Sequence, residues 1–409
     1  MNVKDSRGSG HYLPLLGHNE KWKRQRKFIH HKMSWSITLK HRDIPYQETF
    51  QMLADIIDRP DRYEEIMDDY TGRVISRVCY GRVESFREIK ATSFALLGAI
   101  SPSENLTNLI PFLSYIPYYL SPWKQTEQRR YEKERRLFFR LQEHVRYEGD
   151  KLEDSFMKQY LKSEKKEVPE EEAAYAIGMT ALAGMLTTAS IKINYILAAC
   201  HYPSWQAAIQ QEIDLICGDR MVKACDAPNL PTLRAVIKEL IRWRPIIPAS
   251  IPHQTEQDDW YDGRFIPAGT RIHPNSWALS HDPELYPDPE AFNPDRWLKP
   301  EYPTFKEPLT TYPTIRNMFI FGFGRRVCMG QDLVEAELIV AIGNLAWACN
   351  ISQKLGLDGK PMPIPIDASA ASYTAQLISR PKTFPFELVP RSENRAQQVR
   401  ENLEAYKGI

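Results

Sequence analysis

The chain has 409 residues, 43% of them apolar and 26% charged, enough to bury a sizeable core. Its 53 basic and 52 acidic residues nearly cancel, which excludes a global basic field of the kind that draws proteins to nucleic acid. Cys79, Cys200, Cys217, Cys225, Cys328 and Cys349 form no C-x-x-C pair, which argues against a zinc site or a dense disulfide scaffold and fits a reducing compartment.

Residues 1–10 are polar and lack the apolar segment of a signal peptide. Trp22 and Arg26 stand four apart on a helix, within the basic run Lys21 to Lys27. Apolar residues at helical spacing predict helices over Glu48 to Ile57 and Tyr70 to Tyr80. Arg129 to Leu161 reads as one long charged helix or two, with the basic run Arg129 to Arg136 on a solvated face. Glu170 to Tyr202 is a long apolar helix. Its charge-free part, Ala173 to Ile191, is nearly of membrane length, but its Ala, Gly, Thr and Ser content favours a buried core helix. Trp205 to Cys217 and Leu233 to Trp243 are amphipathic helices. The texture changes at Pro245. Short β pieces follow around Ile251, Arg264 to Ile266 and Thr270 to His273. Asp282 to Pro313 is proline-rich and irregular. A helix over Asp332 to Asn350, a strand over Tyr373 to Ile378 and a surface helix from Glu393 complete the chain. Asn105-Leu106-Thr107 and Asn350-Ile351-Ser352 are glycosylation triplets of a kind that chance supplies often. With no repeat and no flexible linker, the expectation is one mainly α, helix-rich domain with a small β portion.

The chemistry concentrates in Phe321-Gly322-Phe323-Gly324-Arg325-Arg326-Val327-Cys328-Met329-Gly330. One cysteine sits in a glycine-rich loop beside two arginines, just before a helix. Glycines allow close backbone approach to sulfur, N–H groups at a helix start favour negative charge, and arginine pins an anionic group. That is what a metal-bound thiolate needs. The pattern F-x-x-G-x-R-x-C-x-G, filled by Phe321, Gly324, Arg326, Cys328 and Gly330, resembles the haem-binding loop of the cytochrome P450 family. The resemblance implies haem b (iron protoporphyrin IX) with Cys328 as axial thiolate ligand. It also implies Arg326 on a haem propionate and Phe321 packed beside the sulfur.

Other motifs fall in the same family's order. Glu239 and Arg242, three apart on one helix face, can pair. They resemble its E-x-x-R. Phe292 to Trp297 resembles its meander, which makes Arg296 the third member of a structural triad holding the cysteine loop. Trp22 and Arg26 fit W-x-x-x-R, whose side chains the family turns to haem propionates. His253 follows Pro245 and Pro248, where the family often places another propionate contact; an ordinary surface histidine is the alternative. Ala183-Gly184-Met185-Leu186-Thr187-Thr188 resembles the distal oxygen-binding kink. There Gly184 opens the helix over the iron and Thr187 assists oxygen activation. The family's acidic position is Leu186, which cannot pass a proton. Either protons travel by Thr187, Thr188 and water, or oxygen activation is slow, or the reaction does not need it.

The resemblance runs from about Asp5 to the end, and its phrasing is closest to fungal, microsomal-type members of secondary metabolism. It implies a cytochrome P450 fold over residues 1–409, lacking the usual N-terminal anchor, first helix and strands. It implies a haem-dependent monooxygenase that inserts one oxygen atom from O2 into a small lipophilic substrate. Ile100, Leu182, Met185, Ile246, Ile247, Ala249 and Tyr373 to Ala375 are the implied substrate contacts. NADPH-cytochrome P450 reductase is the implied electron donor, docking on the basic Trp22 helix. The implied location is the cytosolic face of the endoplasmic reticulum membrane, by peripheral contact, and no nucleic acid partner is expected. Leu186 leaves open a dioxygen-independent isomerase or dehydratase. The short front leaves open a non-catalytic remnant.

Overall fold

The computed structural model describes residues 10–38, 41–81, 86–101, 104 and 110–407. The triplet at Asn105 lies outside them. Twelve helices are present among the described residues: α1 (Glu20–Thr38), α2 (Ile44–Asp58), α3 (Tyr63–Tyr80), α4 (Phe86–Ile100), α5 (Pro122–Glu148), α6 (Phe156–Lys162), α7 (Glu170–His201), α8 (Pro203–Cys217), α9 (Pro231–Trp243), α10 (Ser276–Ser280), α11 (Gln331–Ala348) and α12 (Glu393–Lys407). The starts follow local chemistry. Proline stands at the first position of α5, α8 and α9, where its missing N–H costs nothing. Three glutamates, Glu170 to Glu172, open α7 against the positive end of its dipole.

The strands form three antiparallel pairs. β1 (His253–Gln254) pairs with β4 (Arg271–Ile272), β2 (Asp259–Tyr261) with β3 (Arg264–Ile266), and β5 (Cys349–Gln353) with β6 (Phe386–Pro390). In the last pair Cys349 lies opposite Pro390 and Gln353 opposite Phe386. Cys349 and Ile351 point inward while Asn350 and Ser352 alternate away from them.

Differences from expectation have local causes. Arg129 to Leu161 is two helices, broken at Gly149, and the first begins at Pro122. Phe86–Ile100 forms α4, a helix outside those expected, buried through Ile89, Thr92, Ser93, Leu96 and Leu97. The expected strand Tyr373 to Ile378 is a turn. Thr374 N–H donates to the Arg380 carbonyl at 2.9 Å, and a single bridge joins Tyr373 to Pro381. Residues 349–350 leave the helix and begin β5.

One contiguous apolar core runs from Tyr12 to Leu403. α7 passes through it, packed on α3, α4, α5, α9, α11 and β5. It is the one described helix long and apolar enough to cross a membrane, and 78% of that apolar window is buried inside the protein. Close packing there requires small residues. A Cβ on Gly184 would lie 2.8 Å from Ile75 Cγ1 in α3. The helix continues unbroken through Gly184. The expected opening at Gly184 is therefore replaced by close approach to α3. Gly184→Ala should lower the melting temperature. Overpacking costs roughly 1–3 kcal/mol, against about 1 kcal/mol gained in helix propensity. The loss should shrink in an Ile75→Val background. Equal losses in both backgrounds would show that Ile75 does not set the requirement.

Candidate active site

Two tight 3-10 turns, Phe319–Phe321 and Gly324–Arg326, lead into the cysteine loop. Gly322 (φ 74) and Gly324 (φ 57) occupy backbone conformations that side chains disfavour, so these positions need glycine. Cys328 N–H donates to the Phe321 carbonyl at 2.7 Å. Phe321 thus fixes the loop through its backbone, and its ring is half-buried against the main core. Gly330 N–H donates to Cys328 Sγ at 3.4 Å as α11 begins. A Cβ on Gly330 would meet that sulfur at 3.8 Å, an ordinary contact. Burial pushes the Cys328 thiol up, while the Gly330 N–H and Arg26 pull it down; burial prevails. The residue is nevertheless open to a water-sized probe. The loop therefore crowds the sulfur while the residue as a whole keeps accessible surface. A bound metal would reverse the balance, because a coordinating thiol is deprotonated outright.

Beside this loop lies Trp22 of α1, buried, with a guanidinium near its ring from each of two arginines. Arg326 stands 4.4 Å and Arg26 5.9 Å from the ring centroid. Arg26 Nη2 donates to the Val327 carbonyl at 2.6 Å, and Arg326 Nη2 donates to the Leu16 carbonyl at 2.7 Å. Burial lowers both guanidinium pKa values, and Arg26 lowers that of Arg326 further. Arg326 Nη1 is buried without a hydrogen-bond partner. Glu256 is the acid that acts on Arg326, but it makes no hydrogen bond to it, so two neighbouring like charges and an orphan N–H are left for a further carboxylate to meet. The residues present therefore fit the propionates of haem. His253 lies exposed in β1 opposite Ile272. His18 N–H donates to Glu256 Oε1 at 3.3 Å, which brings the chain just past that strand to the front of α1. None of the contacts given for Arg26 or Arg326 involves His253.

Opposite chemistry is offered by α7. From Glu172 to Cys200 every residue is buried except Thr180, Ala183, Gly184 and Thr187. Their spacing is i, i+3, i+4 and i+7, one face of a helix. Ala183 is exposed and the other three are half-buried, so this is the face of α7 that the core leaves uncovered. Thr187 Oγ1 donates to the Ala183 carbonyl at 3.3 Å, a long bond. Thr188 is 1% exposed and faces the core, so the relay expected through it is not on this stripe; Thr180 is. Leu186 is likewise buried. Of the implied substrate contacts, Leu182, Met185, Ile246 and Tyr373 are core residues. Tyr373 donates its hydroxyl to Asn194 Oδ1 at 3.1 Å. Ile100, Ile247, Ala249, Thr374 and Ala375 keep accessible surface.

Glu239, Arg242 and Arg296 meet in full burial. Arg242 donates to both Glu239 oxygens at 2.9 and 2.7 Å, and Arg296 Nε donates at 3.3 Å. Asn293 N–H and Trp297 Nε1 donate to the same carboxylate. The guanidiniums then donate to carbonyls of Ser280, Pro289, Ala291 and Asp288. The link onward to the cysteine loop uses residues the sequence reading passed over. Arg234 donates to the Pro313 carbonyl and Lys238 to the Thr314 carbonyl. Thr314 and the Ile315 N–H hold Glu335 of α11, and Asn317 N–H holds Gln331. Arg234 and Lys238 lie on the helix of the E-x-x-R pair, a signal that spacing alone offered.

The fold and this site define a helix-rich protein with a loop-held thiol at the start of one helix and an accessible stripe on a second, core helix. The sequence model of the Cytochrome P450 family matches residues 3–353. The chain is 32% identical to cytochrome P450 monooxygenase fogE of Aspergillus ruber, over 98% of this chain and 75% of that protein. It is 30% identical to cytochrome P450 monooxygenase virE of Hypocrea virens, over 98% of this chain and 74% of that protein. A zebra fish cytochrome P450 solved with progesterone superposes with a TM-score of 0.74 at 21% identity, covering 96% of this chain and 87% of that one. The chain belongs to the cytochrome P450 family. It is a haem-dependent monooxygenase that uses dioxygen and a redox partner, and its relatives favour this over a dioxygen-independent activity.

Removing one member of the buried cluster leaves the others charged and unpartnered. Glu239→Ala or Arg242→Ala should each cost about 3–5 kcal/mol in denaturant unfolding and yield little folded protein. Parent-like midpoints would show that the cluster bears no load.

Proposed function

We propose that Cys328 would hold haem b through its thiolate, and that Arg26, Arg326 and Trp22 would hold its propionates. The orphan Arg326 Nη1 beside Arg26 is the observation that carries this reading. Bound haem supplies the iron on which dioxygen is reduced and a substrate C–H or C=C bond oxidised. As a thiolate, Cys328 would be the protein group through which the electronics of a bound haem are tuned. The Gly330 N–H tempers that sulfur charge. Thr187 can give up its long bond to Ala183 and offer its hydroxyl at the accessible stripe. With Leu186 unable to carry a proton, Thr187, Thr180 and water form the route along the stripe. Thr180 and Thr187 stand two turns apart, about 10 Å, so water must bridge them.

The substrate is a small lipophilic molecule of fungal secondary metabolism, and the product carries one atom of O2. Accessible Ala183 and Gly184 with Ile247 and Ala249 support an apolar ligand. NADPH-cytochrome P450 reductase is the electron donor. A groove of about 380 Å³ lined by His18, Lys23, Arg26, Lys27 and Arg325 offers an acidic flavoprotein a positive surface beside the cysteine loop. Residues 1–409 act as one domain, at the cytosolic face of the endoplasmic reticulum. The structural role of Glu239, Arg242 and Arg296 is to hold that loop, and His253 is a peripheral propionate contact.

Cys328→Ala should abolish the thiolate-type absorption of the reduced carbon-monoxide complex, while Cys79→Ala, Cys200→Ala and Cys349→Ala keep it. Retention in Cys328→Ala would end the reading. For the oxygen-activating helix, peroxide released per NADPH consumed is the measure. Thr187→Ala should raise it severalfold, as loss of a general acid–base group allows. Thr188→Ala should leave it near the parent's. Equal effects would place the relay elsewhere.

A further inference from the structure

Lys192 is the only lysine, arginine, aspartate or glutamate in α7 after Glu172. It is fully buried at 0% exposure. Its Nζ lies 2.5 Å from Glu337 Oε1 of α11 and donates to Thr71 Oγ1 of α3 at 2.7 Å. The single Thr71 hydroxyl proton has two acceptors in reach, the Met67 carbonyl of its own helix at 3.0 Å and Glu337 at 3.3 Å. The ammonium also sits 4.7 Å from the Tyr70 ring. Three helices are thus joined at one point in the apolar core.

Stability alone does not call for such a pair, since apolar residues of similar volume often replace buried ion pairs without loss. What a buried pair adds is position. α7 is apolar on nearly every side, and so is α11 beyond Glu337, its last charged residue. Apolar surfaces that are alike all round discriminate poorly between one rotation or axial offset and the next. A shift that separated Lys192 from Glu337 would leave two unpaired charges in the core. Fixing register is the best-attested use of buried polar contacts between helices.

The placement gives this register a consequence. Lys192 lies five residues beyond Thr187, the end of the accessible stripe. Glu337 lies nine residues beyond Cys328, on the helix that the cysteine loop opens. We propose that Lys192, Glu337 and Thr71 form a register pin that sets where the Thr180 to Thr187 stripe stands relative to the Cys328 sulfur. Lys192 and Glu337 are positioning residues, acting through α7 and α11 without touching substrate or haem. The inference rests on Cys328 being the iron ligand.

The test is the double variant Lys192→Met/Glu337→Leu, which keeps volume and removes both charges. It should fold, bind haem and melt no lower than the parent. Hydrogen exchange of the holoprotein should be at least about tenfold faster at the amides of Thr180 to Thr187, with other helices unchanged. The infrared stretch of carbon monoxide bound to the reduced protein should broaden or split, reporting several positions of the stripe. Parent-like exchange and a single sharp band would overturn the proposal. So would a double variant that fails to fold, since the pair would then serve stability. The thiolate-type band of the parent separately tests the ligand assignment, so failure of the pin and failure of that assignment read out differently.

Discussion

Glu239 is a carboxylate without solvent, and the irregular part of the chain is arranged around it. Arg242 from its own helix, Arg296 and Trp297 from the meander, and the Asn293 N–H all converge on its two oxygens. The same arginines spend their remaining N–H groups on carbonyls between Ser280 and Ala291. A proline-rich stretch with little hydrogen-bonded secondary structure thereby gains fixed partners for its backbone. From there α9 reaches the loop before Cys328 through Arg234 and Lys238, and Glu335 and Gln331 close the path from α11. The cysteine loop is reached by a chain of hydrogen-bonded polar groups that begins at one buried charge.

The two parts of the proposed site are built differently. The thiol part is a loop held by polar contacts, with two glycines at positive φ. The other part is α7, held by dense apolar packing in which even Gly184 is filled by its neighbour Ile75. Along its stripe only small or hydroxyl-bearing residues of α7 remain accessible. A rigid helix with a smooth stripe can tolerate many apolar ligands, whereas the loop sets the chemistry.

The sequence carried the site better than it carried the sheet. The meeting of Glu239, Arg242 and Arg296, and the tight loop around Cys328, were legible because each demands residue types at fixed spacing. The long helices were legible from periodicity, and α7 from its apolar run. β5 and β6 were missed because Asn350 to Gln353 continues a helical pattern, and only pairing with Phe386–Pro390 makes it a strand. Tyr373 looked like a strand residue or a ligand contact, yet its hydroxyl answers Asn194 in the core. Thr188 and Thr187 looked equivalent, and only the rotation of α7 separates them. The orphan N–H on Arg326 has no sequence signal at all, since it depends on what Leu16 and Arg26 already occupy.

The proposed haem would be held by Cys328 and the Arg26–Arg326 pair. The reduced carbon-monoxide difference spectrum of the purified full chain tests it most directly. A thiolate-type band with one haem per chain is the predicted result. A band typical of a nitrogen ligand, or no haem uptake by folded protein, would contradict it.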